Sequence, residues 1–406
     1  MIIANPTKER YMNREEALRK ALSSIDESYI IRIRREIHQC PELGFDLDNT
    51  VSIVKRELDA IGIEYTDKLG KSSVVATMNR EKSSFTIGIR ADMDALPIQE
   101  NTGLPFSSRN PGKMHACGHD AHTAILLGTA KALKSVEKEI DCRIKLIFQS
   151  YEEGTRGAEL LVKDGVMNDI DVIIALHVTN SIPSGTLGIG SGTIMAADNQ
   201  LDFLFTGKSS HAVFPQNACD PIAMAVSAYN QIQLIRTRKT DPTKPFVLAI
   251  SRIQSGSTYN VIPSTAAMKG TIRSFDLAVN DFVQNQVGLI CQETARLFGG
   301  TCRFDHRLGT LPLTNDPKVT DAVKKAIAKA VGKKNLVKIP IGMGSEDFSY
   351  YSSVKPAAFF RLGTYDEKSG PMTSSHQAGF IIDEKAFKYG SMTFINFIFD
   401  NMDGLE

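Results

Sequence analysis

The sequence predicts an α/β protein whose first domain has a largely parallel, doubly wound sheet and whose second domain is an inserted α+β unit of ferredoxin-like order. Apolar strand patterns alternate with helical patterns over residues 84–178, and the order changes to β-α-β-β-α-β from Asp198. A chain of 406 residues also exceeds the roughly 250–300 residues over which one core usually grows. We therefore expect a discontinuous first domain, residues 1–197 and 311–406, and an inserted domain, residues 198–310.

The N-terminal segment has the pattern of two helices. Ile25, Tyr29 and Ile33 share the apolar face of a helix predicted over residues 13–38. A second helix is predicted over residues 48–61, because a glycine follows the last periodic residue and glycine commonly ends a helix.

Three apolar strands of the first domain end in titratable side chains. Helical patterns separate these strands, which favours parallel pairing. Because ligands of doubly wound sheets bind beyond the carboxyl ends of the strands, we expect these side chains to share one rim of the sheet. The strands and their terminal groups are residues 84–97 with Asp92 and Asp94, residues 143–154 with Glu152 and Glu153, and residues 171–178 with His177.

The segment 112–133 places a cysteine and two histidines at the start of a predicted amphipathic helix on the same rim. Cys117, His119 and His122 combine a thiolate with imidazoles, a ligand set that suits a borderline-soft divalent ion such as zinc. A Cys-x-His pair alone is a weak motif. The prediction of a metal site therefore depends on the carboxylates and the histidine at the neighbouring strand ends.

The remaining elements follow from the same periodicity. In the inserted domain, helices are predicted from Asp220 to about Arg236 and over residues 280–298, with strands before, between and after them. The chain then returns to the first domain with a helix in DAVKKAIAKAV, a strand in AAFFRLG and a final helix over residues 383–401.

Composition argues against several classes of protein. With 47 Lys and Arg against 46 Asp and Glu, no basic field is available for a nucleic acid backbone. The N-terminus lacks the apolar core of a signal peptide, and no run is long and uncharged enough to cross a bilayer. The six scattered cysteines favour reduced thiols over a disulfide framework. We expect a cytoplasmic protein with no nucleic acid or membrane partner.

Ten short motifs occur in order between about residues 30 and 400: RREIHQCPELGF, GIRADMDALPIQE, MHACGHDAHTA, FQSYEEG, ALHV, GKSSHA, NVIP, GTIRSFD, MGSEDFSYY and SSHQAGF. Together they resemble the aminoacylase and carboxypeptidase superfamily of metallopeptidases. Within it they are most similar to the amidohydrolase branch of hippurate hydrolases, N-acetyldiaminopimelate deacetylases and auxin-conjugate hydrolases. The resemblance implies a catalytic domain with a two-metal centre, interrupted by a lid domain that commonly forms dimers.

The resemblance also assigns five metal contacts and a general base, Glu152. General chemistry supports assigning different roles to the two adjacent glutamates, because one carboxylate must take a proton from water while another holds the ion. Asp94 is expected to orient an imidazole ligand. The implied metal contacts are Cys117, His119, Glu153, His177 and His376.

Other polar residues of these motifs have two interpretations at this stage. Asp92 either contacts metal or supports a ligand, and His115 and His122 either complete the centre or have a structural or orienting role. Asp120 can equally cap the start of its helix. His38 lies beside a proline turn, and we expect it to fix that turn by hydrogen bonds rather than to bind metal.

The inserted domain contributes three further candidates. His211 resembles the family histidine that reaches across a dimer and stabilises the oxyanion in the partner's cleft, and its simpler role is that of a strand-end histidine. Asn260 and Arg273 resemble residues that grip a substrate carboxylate, although Arg273 can instead form a surface ion pair. His306 lies outside every motif and is expected on the surface.

Two positions depart from the family pattern. Ala378 stands where the last ligand motif usually has proline, so we expect the loop to be less rigid. The histidine of the motif is present, and we expect His376 to remain a ligand. Tyr151 replaces a small residue, and a narrower pocket or a different substrate choice is the expected effect.

The expected function is hydrolysis of the amide bond in N-acyl amino acids or related small conjugates. One or two divalent ions, whether zinc, manganese, cobalt or nickel, would activate water, with Glu152 as the base. The resemblance further implies a homodimer formed through the lid domain. Two alternatives remain open: a dipeptidase or aminopeptidase of the same superfamily, and a metal-binding homologue without turnover.

Overall fold

The computed structural model describes residues 6–82, 84–369 and 372–405. The chain divides into two compact units, which we call the first and the second unit. The first unit contains Met1–Gly192, Thr314–Pro340 and Tyr350–Glu406, and the second contains Thr193–Leu313 and Ile341–Ser349. The second unit thus begins and ends a few residues outside the expected range 198–310, and it also includes residues 341–349, which we had expected in the first domain.

The helices of the described residues lie mainly in the first unit, apart from α6, α7 and α8. They are α1 Pro6–Ser23, α2 Glu27–Gln39, α3 Asp48–Ile61, α4 His119–Lys134, α5 Gly157–Lys163, α6 Pro221–Gln233, α7 Ile235–Arg238, α8 Leu277–Leu297, α9 Pro317–Val331, α10 Ser349–Ser352 and α11 Phe387–Asn401.

The strands fall into two larger sheets, one in each unit, and short pairs. They are β1 Tyr65–Thr66, β2 Val74–Met78, β3 Thr86–Asp92, β4 Arg143–Gln149, β5 Val172–Pro183, β6 Leu187–Ile189, β7 Gly192–Met195, β8 Ala197–Thr206, β9 Ser210–His211, β10 Phe246–Ser255, β11 Val261–Ile262, β12 Thr265–Ser274, β13 Thr301–Thr310, β14 Leu313–Asn315, β15 Leu336–Lys338 and β16 Ala357–Tyr365.

The sheet of the first unit has the order β1-β2-β4-β3-β5-β16-β6-β15 among the described residues. Its four central strands, β4, β3, β5 and β16, are parallel neighbours, while β1, β2 and β6 add antiparallel pairs. Helix α4 connects β3 to β4, and α5 connects β4 to β5. The prediction of a largely parallel α/β sheet is therefore confirmed, and the carboxyl ends of β3, β4 and β5 meet at one rim.

The N-terminal helical segment differs from its prediction. The helix expected over residues 13–38 is two helices, because α1 ends at Ser23 and the Asp26 side chain accepts the Tyr29 N–H at 2.9 Å as the N-cap of α2. Helix α3 has the predicted bounds, and Gly62 ends it in the left-handed region at φ 76°.

Helix α4 packs against α2, α11 and β3 in the core of the first unit. It was expected to be amphipathic, but nearly all of its residues are buried. A helix surrounded by protein on all sides has little freedom to move. The side chains at its N-terminus are thus held on a rigid support.

The second unit has the ferredoxin-like topology that its element order predicts. Its antiparallel sheet has the order β10-β12-β8-β13, and chain order places α6 between β8 and β10 and α8 between β12 and β13. The two helices pack on each other and on β12 and β8. A separate apolar core, which includes Phe205, Met224, Ile272 and Val283, lies between helices and sheet. Among the described residues, no helix combines the length and apolar character needed to span a membrane.

Candidate metal centre

The rim at the carboxyl ends of β3, β4 and β5 gathers the residues that the sequence analysis singled out in the first unit. Asp92 ends β3 and pairs with Gln149 at the end of β4, after which the chain turns into Glu152 and Glu153. His177 lies in β5, next to β3. Asp92 and His177, 85 positions apart along the chain, therefore reach the same rim because the parallel strands that carry them lie side by side.

Gly118 separates the cysteine and the histidine at the start of α4. It has φ +86°, and an added Cβ would lie 2.3 Å from Cγ2 of Val178. Only glycine combines this left-handed backbone with such a close approach to β5. The tight turn allows Cys117 and His119, on either side of it, to face the same rim.

The first part of the site, which we call the helix side, consists of Cys117, His119 and His177. Sγ of Cys117 lies 3.3 Å from Nε2 of His177, while Nδ1–H of His177 donates to the Val178 carbonyl at 2.6 Å. This bond fixes the tautomer and leaves the Nε2 lone pair directed toward the thiol. Two ligands of one tetrahedral zinc ion are roughly 3.3–3.8 Å apart, given bonds of about 2.0–2.3 Å, so the separation suits a shared ion.

The pKa values of Cys117 and His177 are also consistent with binding of a metal cation. Burial raises the pKa of the Cys117 thiol to about 12 and lowers the pKa of His177 well below its usual range. A neutral imidazole is the form that binds metal. A buried thiol becomes a thiolate when a metal ion coordinates it, because the ion supplies the positive charge that the surroundings lack.

The second part of the site, the loop side, consists of Glu152, Glu153 and His376. Oε1 of Glu153 lies 3.4 Å from Nε2 of His376 and 3.9 Å from Nε2 of His119. Oε2 of Glu152 lies 4.0 Å from the same His119 nitrogen. His119 therefore faces both glutamates and links the two sides.

Several buried polar atoms of the site have no hydrogen bond within the described part of the chain. They include both ring nitrogens of His119 and Oε1 of Glu153. Leaving such atoms unpaired is costly unless something compensates them. A divalent cation would compensate Nε2 of His119 and Oε1 of Glu153, which lie 3.9 Å apart, while Nδ1 of His119 faces Asp94. The residues present therefore fit a metal ion.

Donor atoms that lie within 4.8 Å of one another form overlapping groups of three in the first unit. Cys117 occurs in two of these groups and His119 in three, which is the pattern that adjacent ion positions would produce. The groups are Cys117, His119 and His177; Cys117, Glu153 and His376; His119, Glu152 and Glu153; and Asp92, His119 and His122.

Asp94 binds the loop side through its backbone. Its two carboxylate oxygens accept the N–H groups of Glu152 at 2.9 Å and Glu153 at 3.2 Å. The nearest imidazole nitrogen, Nδ1 of His119, is 3.6 Å from Oδ1. Asp94 was expected to orient an imidazole, and its carboxylate does face the His119 ring. Its hydrogen bonds also hold the turn that carries the glutamate pair, which the sequence did not indicate.

Comparison with known proteins identifies the family. The model of peptidase family M20/M25/M40 matches residues 88–399. The chain is 38% identical over 370 residues to thermostable carboxypeptidase 1 of Saccharolobus solfataricus, covering 90% of this chain and 93% of that protein. It is 36% identical over 373 residues to N-acetyl-L-cysteine deacetylase of Bacillus subtilis, covering 92% and 88%. The chain belongs to peptidase family M20/M25/M40.

A solved structure of a related protein matches this chain as well, and that related protein is described as binding metal. A Bacillus subtilis protein described as a dinuclear metal-binding peptidase of the M20 family matches with a TM-score of 0.77 and 31% identity, covering 92% of this chain and 98% of that one. The resemblance inferred from the sequence motifs is confirmed. This M20 family member is a metal-dependent hydrolase that acts on amide bonds.

Asp92 and His122 of the M20 enzyme are hydrogen-bonded to each other, so we do not assign them as metal ligands. Nδ1–H of His122 donates to Oδ1 of Asp92 at 2.5 Å, and Nε2 accepts the Val178 N–H at 2.9 Å. Both ring nitrogens of His122 are therefore occupied, although its atoms are close enough to form a donor group with His119. We conclude that His122 joins β3 to β5 through these two hydrogen bonds, and that Asp92 fixes the His122 ring.

A buried arginine completes this support and was missed at the sequence level. Arg90 donates to Oδ2 of Asp92 at 2.6 Å and to Oε1 of Gln149 at 2.9 Å, and Tyr351 donates to the same Gln149 oxygen at 2.9 Å. The pKa of Asp92 is held well below its usual value because Arg90 and the adjacent histidines outweigh its burial. A charged residue inside the apolar strand TIGIRAD was the signal that could have indicated this role.

His38 and Asp120 form a second buried network in the first unit. Nδ1–H of His38 donates to Oδ2 of Asp120 at 2.7 Å, and Nε2 lies 3.3 Å from Oε1 of Glu100. His38 thus has no nitrogen available for metal. Asp120 does not cap α4, which has no side-chain cap at its N-terminus. His115 is buried nearby with its pKa lowered by burial to about 3, and it belongs to none of the donor groups in the described chain.

His211, Asn260 and Arg273 belong to the second unit. His211 is exposed in β9, which pairs with β11, and the Ala212 N–H donates to the Asn260 carbonyl at 3.0 Å, so two of the candidates lie side by side. Nε of Arg273 lies 3.3 Å from Oδ1 of Asp198. Arg273 therefore forms an ion pair, which is the alternative to substrate binding given in the sequence analysis. His306, expected on the surface, is exposed.

Tyr151, which precedes the glutamate pair, packs against Phe45 and two glycines. The ring stacks edge-on against Phe45 with centroids 4.6 Å apart, and it fills the space beside Gly44 and Gly154. The backbone of Tyr151 is left-handed, with φ 53°. These contacts give Tyr151 a role in shaping the turn before Glu152, and its expected effect on the pocket stays a prediction.

Proposed function

We propose that the protein hydrolyses the amide bond of N-acyl amino acids and related small conjugates at a centre that holds one or two divalent ions. The observation that carries this proposal is the convergence of thiol, imidazole and carboxylate donors within 4.8 Å of one another, with both His119 nitrogens and Oε1 of Glu153 lacking hydrogen bonds in the described chain. Structural ion pairs rarely leave such atoms uncompensated.

In this proposal the ligands are Cys117, His119, Glu153, His177 and His376. When bound, the ions polarise the scissile carbonyl and lower the pKa of water toward about 7. The mixture of sulfur, nitrogen and oxygen donors suits zinc, cobalt, nickel or manganese in differing degree, and we propose no single identity.

Glu152 is the proposed general base. Its backbone is fixed by Asp94, and its carboxylate faces His119 at 4.0 Å, at the edge of the donor groups. The carboxylate takes a proton from the attacking water and passes it to the departing amine, which leaves as a neutral amino acid nitrogen. Glu153, which lies closer to His376, is left to hold the ion.

The second unit would supply groups for substrate. We propose that Arg273 and Asn260 bind the carboxylate of the amino acid, because a guanidinium fork matches a carboxylate. Nε of Arg273 faces Asp198 and Nη1 donates to Ser345 at 2.5 Å, so the Nη2 group is the one proposed to meet the substrate. His211 is proposed to stabilise the oxyanion that forms on the acyl carbon. His211 is exposed in β9, so its side chain is accessible to the active-site cleft of a second subunit.

A homodimer is proposed on the surface pattern of the second unit. The outer faces of its two long helices carry exposed apolar side chains at helical spacing, and exposed apolar patches commonly mark interfaces. Replacing one of them, as in Val226→Glu or Leu289→Glu, should yield monomers by light scattering. These side chains are Ile222, Val226 and Tyr229 on α6 and Phe282, Leu289 and Leu297 on α8.

A reducing compartment is part of the proposal. All six cysteines of the chain are free thiols, and Cys117 must remain reduced to bind metal. We therefore propose the cytoplasm as the place of action.

A substrate panel on metal-defined protein tests the function. Acetyl, benzoyl and indole-acetyl amino acids and acetyl-diaminopimelate should be hydrolysed, and chelation should abolish turnover until zinc, manganese, cobalt or nickel is returned. Dipeptides and C-terminally extended peptides belong in the same panel, because one relative is named a carboxypeptidase and its substrates also release an amino acid with a free carboxylate. Metal-replete protein that cleaves none of these compounds would favour the non-catalytic alternative.

A further inference from the structure

Helix α4 contacts α2 in two places, and the two contacts differ in character. Near the middle of α4, Gly128 allows a close approach of Ile30, since an added Cβ would lie 2.4 Å from its side chain. One turn and two turns further along α2, Arg34 and His38 face Asp120. The apolar contact sets the distance between the helices, and the polar contact fixes the first turn of α4.

The polar contact converges on one atom. Oδ2 of Asp120 lies 2.8 Å from Nε of Arg34 and accepts Nδ1–H of His38 at 2.7 Å. All three side chains are buried, so these charge-assisted contacts are protected from water and salt. Asp120 directly follows His119 in the first turn of α4, so the contacts of Asp120 help to fix the backbone that carries the His119 imidazole.

His38 is itself held from its other side. Glu100 faces Nε2 of His38, and Oε2 of Glu100 accepts the Ser108 N–H at 2.7 Å, while Thr102 donates to Oε1. The imidazole therefore bridges a loop and a helix and cannot rotate freely. Its Nδ1–H remains aligned with Asp120.

We propose that His38 and Asp120 are positioning residues that hold His119 in the direction required for metal binding. This inference rests on the proposed function, because it takes His119 as a ligand. His38 acts through Asp120, and Asp120 acts through the backbone of the first turn of α4. Neither side chain contacts the donor groups of the centre.

Two substitutions of His38 separate this role from simple packing. In His38→Asn, the amide nitrogen is the same number of bonds from Cα as Nδ1, so the donor to Asp120 is kept. In His38→Gln, the amide nitrogen corresponds to Nε2, so contact with Glu100 is kept and the donor to Asp120 is lost. Asp120→Asn, which keeps the shape but removes the charge, is the third variant.

The measurement is binding of cobalt and zinc to metal-free, full-length protein. Cobalt is followed by the thiolate-to-cobalt absorption band of Cys117, and zinc by competition with a chromophoric chelator. His38→Asn should bind zinc within about threefold of wild type, whereas His38→Gln and Asp120→Asn should bind it about 10–100-fold more weakly, the range seen when groups that orient ligands are removed. The cobalt band per bound ion should change in the two weakened variants only.

The possible results separate the inference from the function on which it rests. Equal zinc affinity and equal cobalt spectra for His38→Asn and His38→Gln would overturn the positioning role. Equal losses of melting temperature and of affinity in both would assign His38 a purely structural role, which also overturns it. Wild-type protein that shows no thiolate band with cobalt would instead contradict the proposed metal centre itself.

Discussion

The helix side and the loop side of the candidate centre are held in different ways. On the helix side, the hydrogen bond is made by the ring of the donor residue itself, as when Nδ1–H of His177 donates to the Val178 carbonyl. On the loop side the backbone is held instead: Asp94 accepts the amides of Glu152 and Glu153, and the His376 N–H donates to the Ala116 carbonyl at 2.8 Å.

Burial and backbone strain follow the same division. His119 is fully buried, whereas the His376 side chain is 53% exposed. Three of the non-glycine residues with left-handed backbone, Tyr151, Thr155 and His376, lie on or beside the loop side. Strained backbone concentrates at functional sites because surrounding structure must maintain it. The helix side is therefore buried and held by side-chain hydrogen bonds, whereas the loop side is more exposed and is held through its backbone.

The largest expected effect comes from the proton-transfer group. Glu152→Gln should lower kcat by about 10²–10⁴-fold, because the amide cannot accept the proton, while bound metal stays constant. Metal content by elemental analysis and kcat on an acetyl amino acid measure both quantities. Activity near the wild-type level would remove Glu152 as the base and assign the loop side a binding role only.

The next effect compares one histidine from each side. His119→Ala should reduce zinc affinity by more than about 100-fold, beyond the range typical of residues that only orient ligands. His376→Ala should cause a smaller loss, because a half-exposed side chain is less firmly arranged before the ion arrives. Chelator competition gives both constants, and the melting temperatures of the metal-free variants serve as the control. A greater loss for His376→Ala would reverse our comparison.

Matched substitutions of the two aspartates sharpen the division further. Asp94→Asn leaves one of two backbone amides facing an NH2 group, at a cost of about 1–3 kcal/mol in stability, and should lower kcat while zinc is retained. Asp92→Asn disturbs the bond to His122 and should weaken zinc binding about 10–100-fold. Thermal denaturation, kcat and zinc competition distinguish them. If both variants behave alike, the two sides are not independent.

The smallest expected effect concerns the loop of His376. The Phe380 N–H donates to the Gln377 carbonyl at 3.0 Å, which places Ala378 at the second position of a turn, where proline is favoured. The Ala378 N–H makes no hydrogen bond within the described residues. Ala378→Pro should therefore stabilise the protein by about 0.4–1 kcal/mol and tighten zinc binding slightly. Destabilisation would show that the backbone at this position does not fit proline.

Local patterns predicted what depends on neighbours in sequence. Helix α3, strands β3 and β4 and the ferredoxin-like order of the second unit all follow from short-range periodicity and turn residues, although β4 ends at Gln149 and not at the predicted Glu152. The break between α1 and α2 was missed, because the apolar spacing continues across it and only the cap at Asp26 marks it.

The candidate site could be predicted in its membership but not in its hydrogen bonds. The motifs named its donors, since carboxyl strand ends must meet. They could not show that His122 has both nitrogens occupied, that Asp94 binds amides or that Arg90 lies beneath Asp92. Those contacts join residues from 2 to 59 positions apart, and their partners depend on side-chain direction, which short sequence patterns do not specify.

The most direct test of the central claim is anomalous X-ray scattering from crystals of the protein grown with zinc or manganese, recorded on both sides of the absorption edge of the metal. We predict one or two peaks bounded by Cys117, His119, Glu153, His177 and His376. An absence of anomalous density among these residues in a crystal that contains the metal would contradict the claim that they form a metal centre.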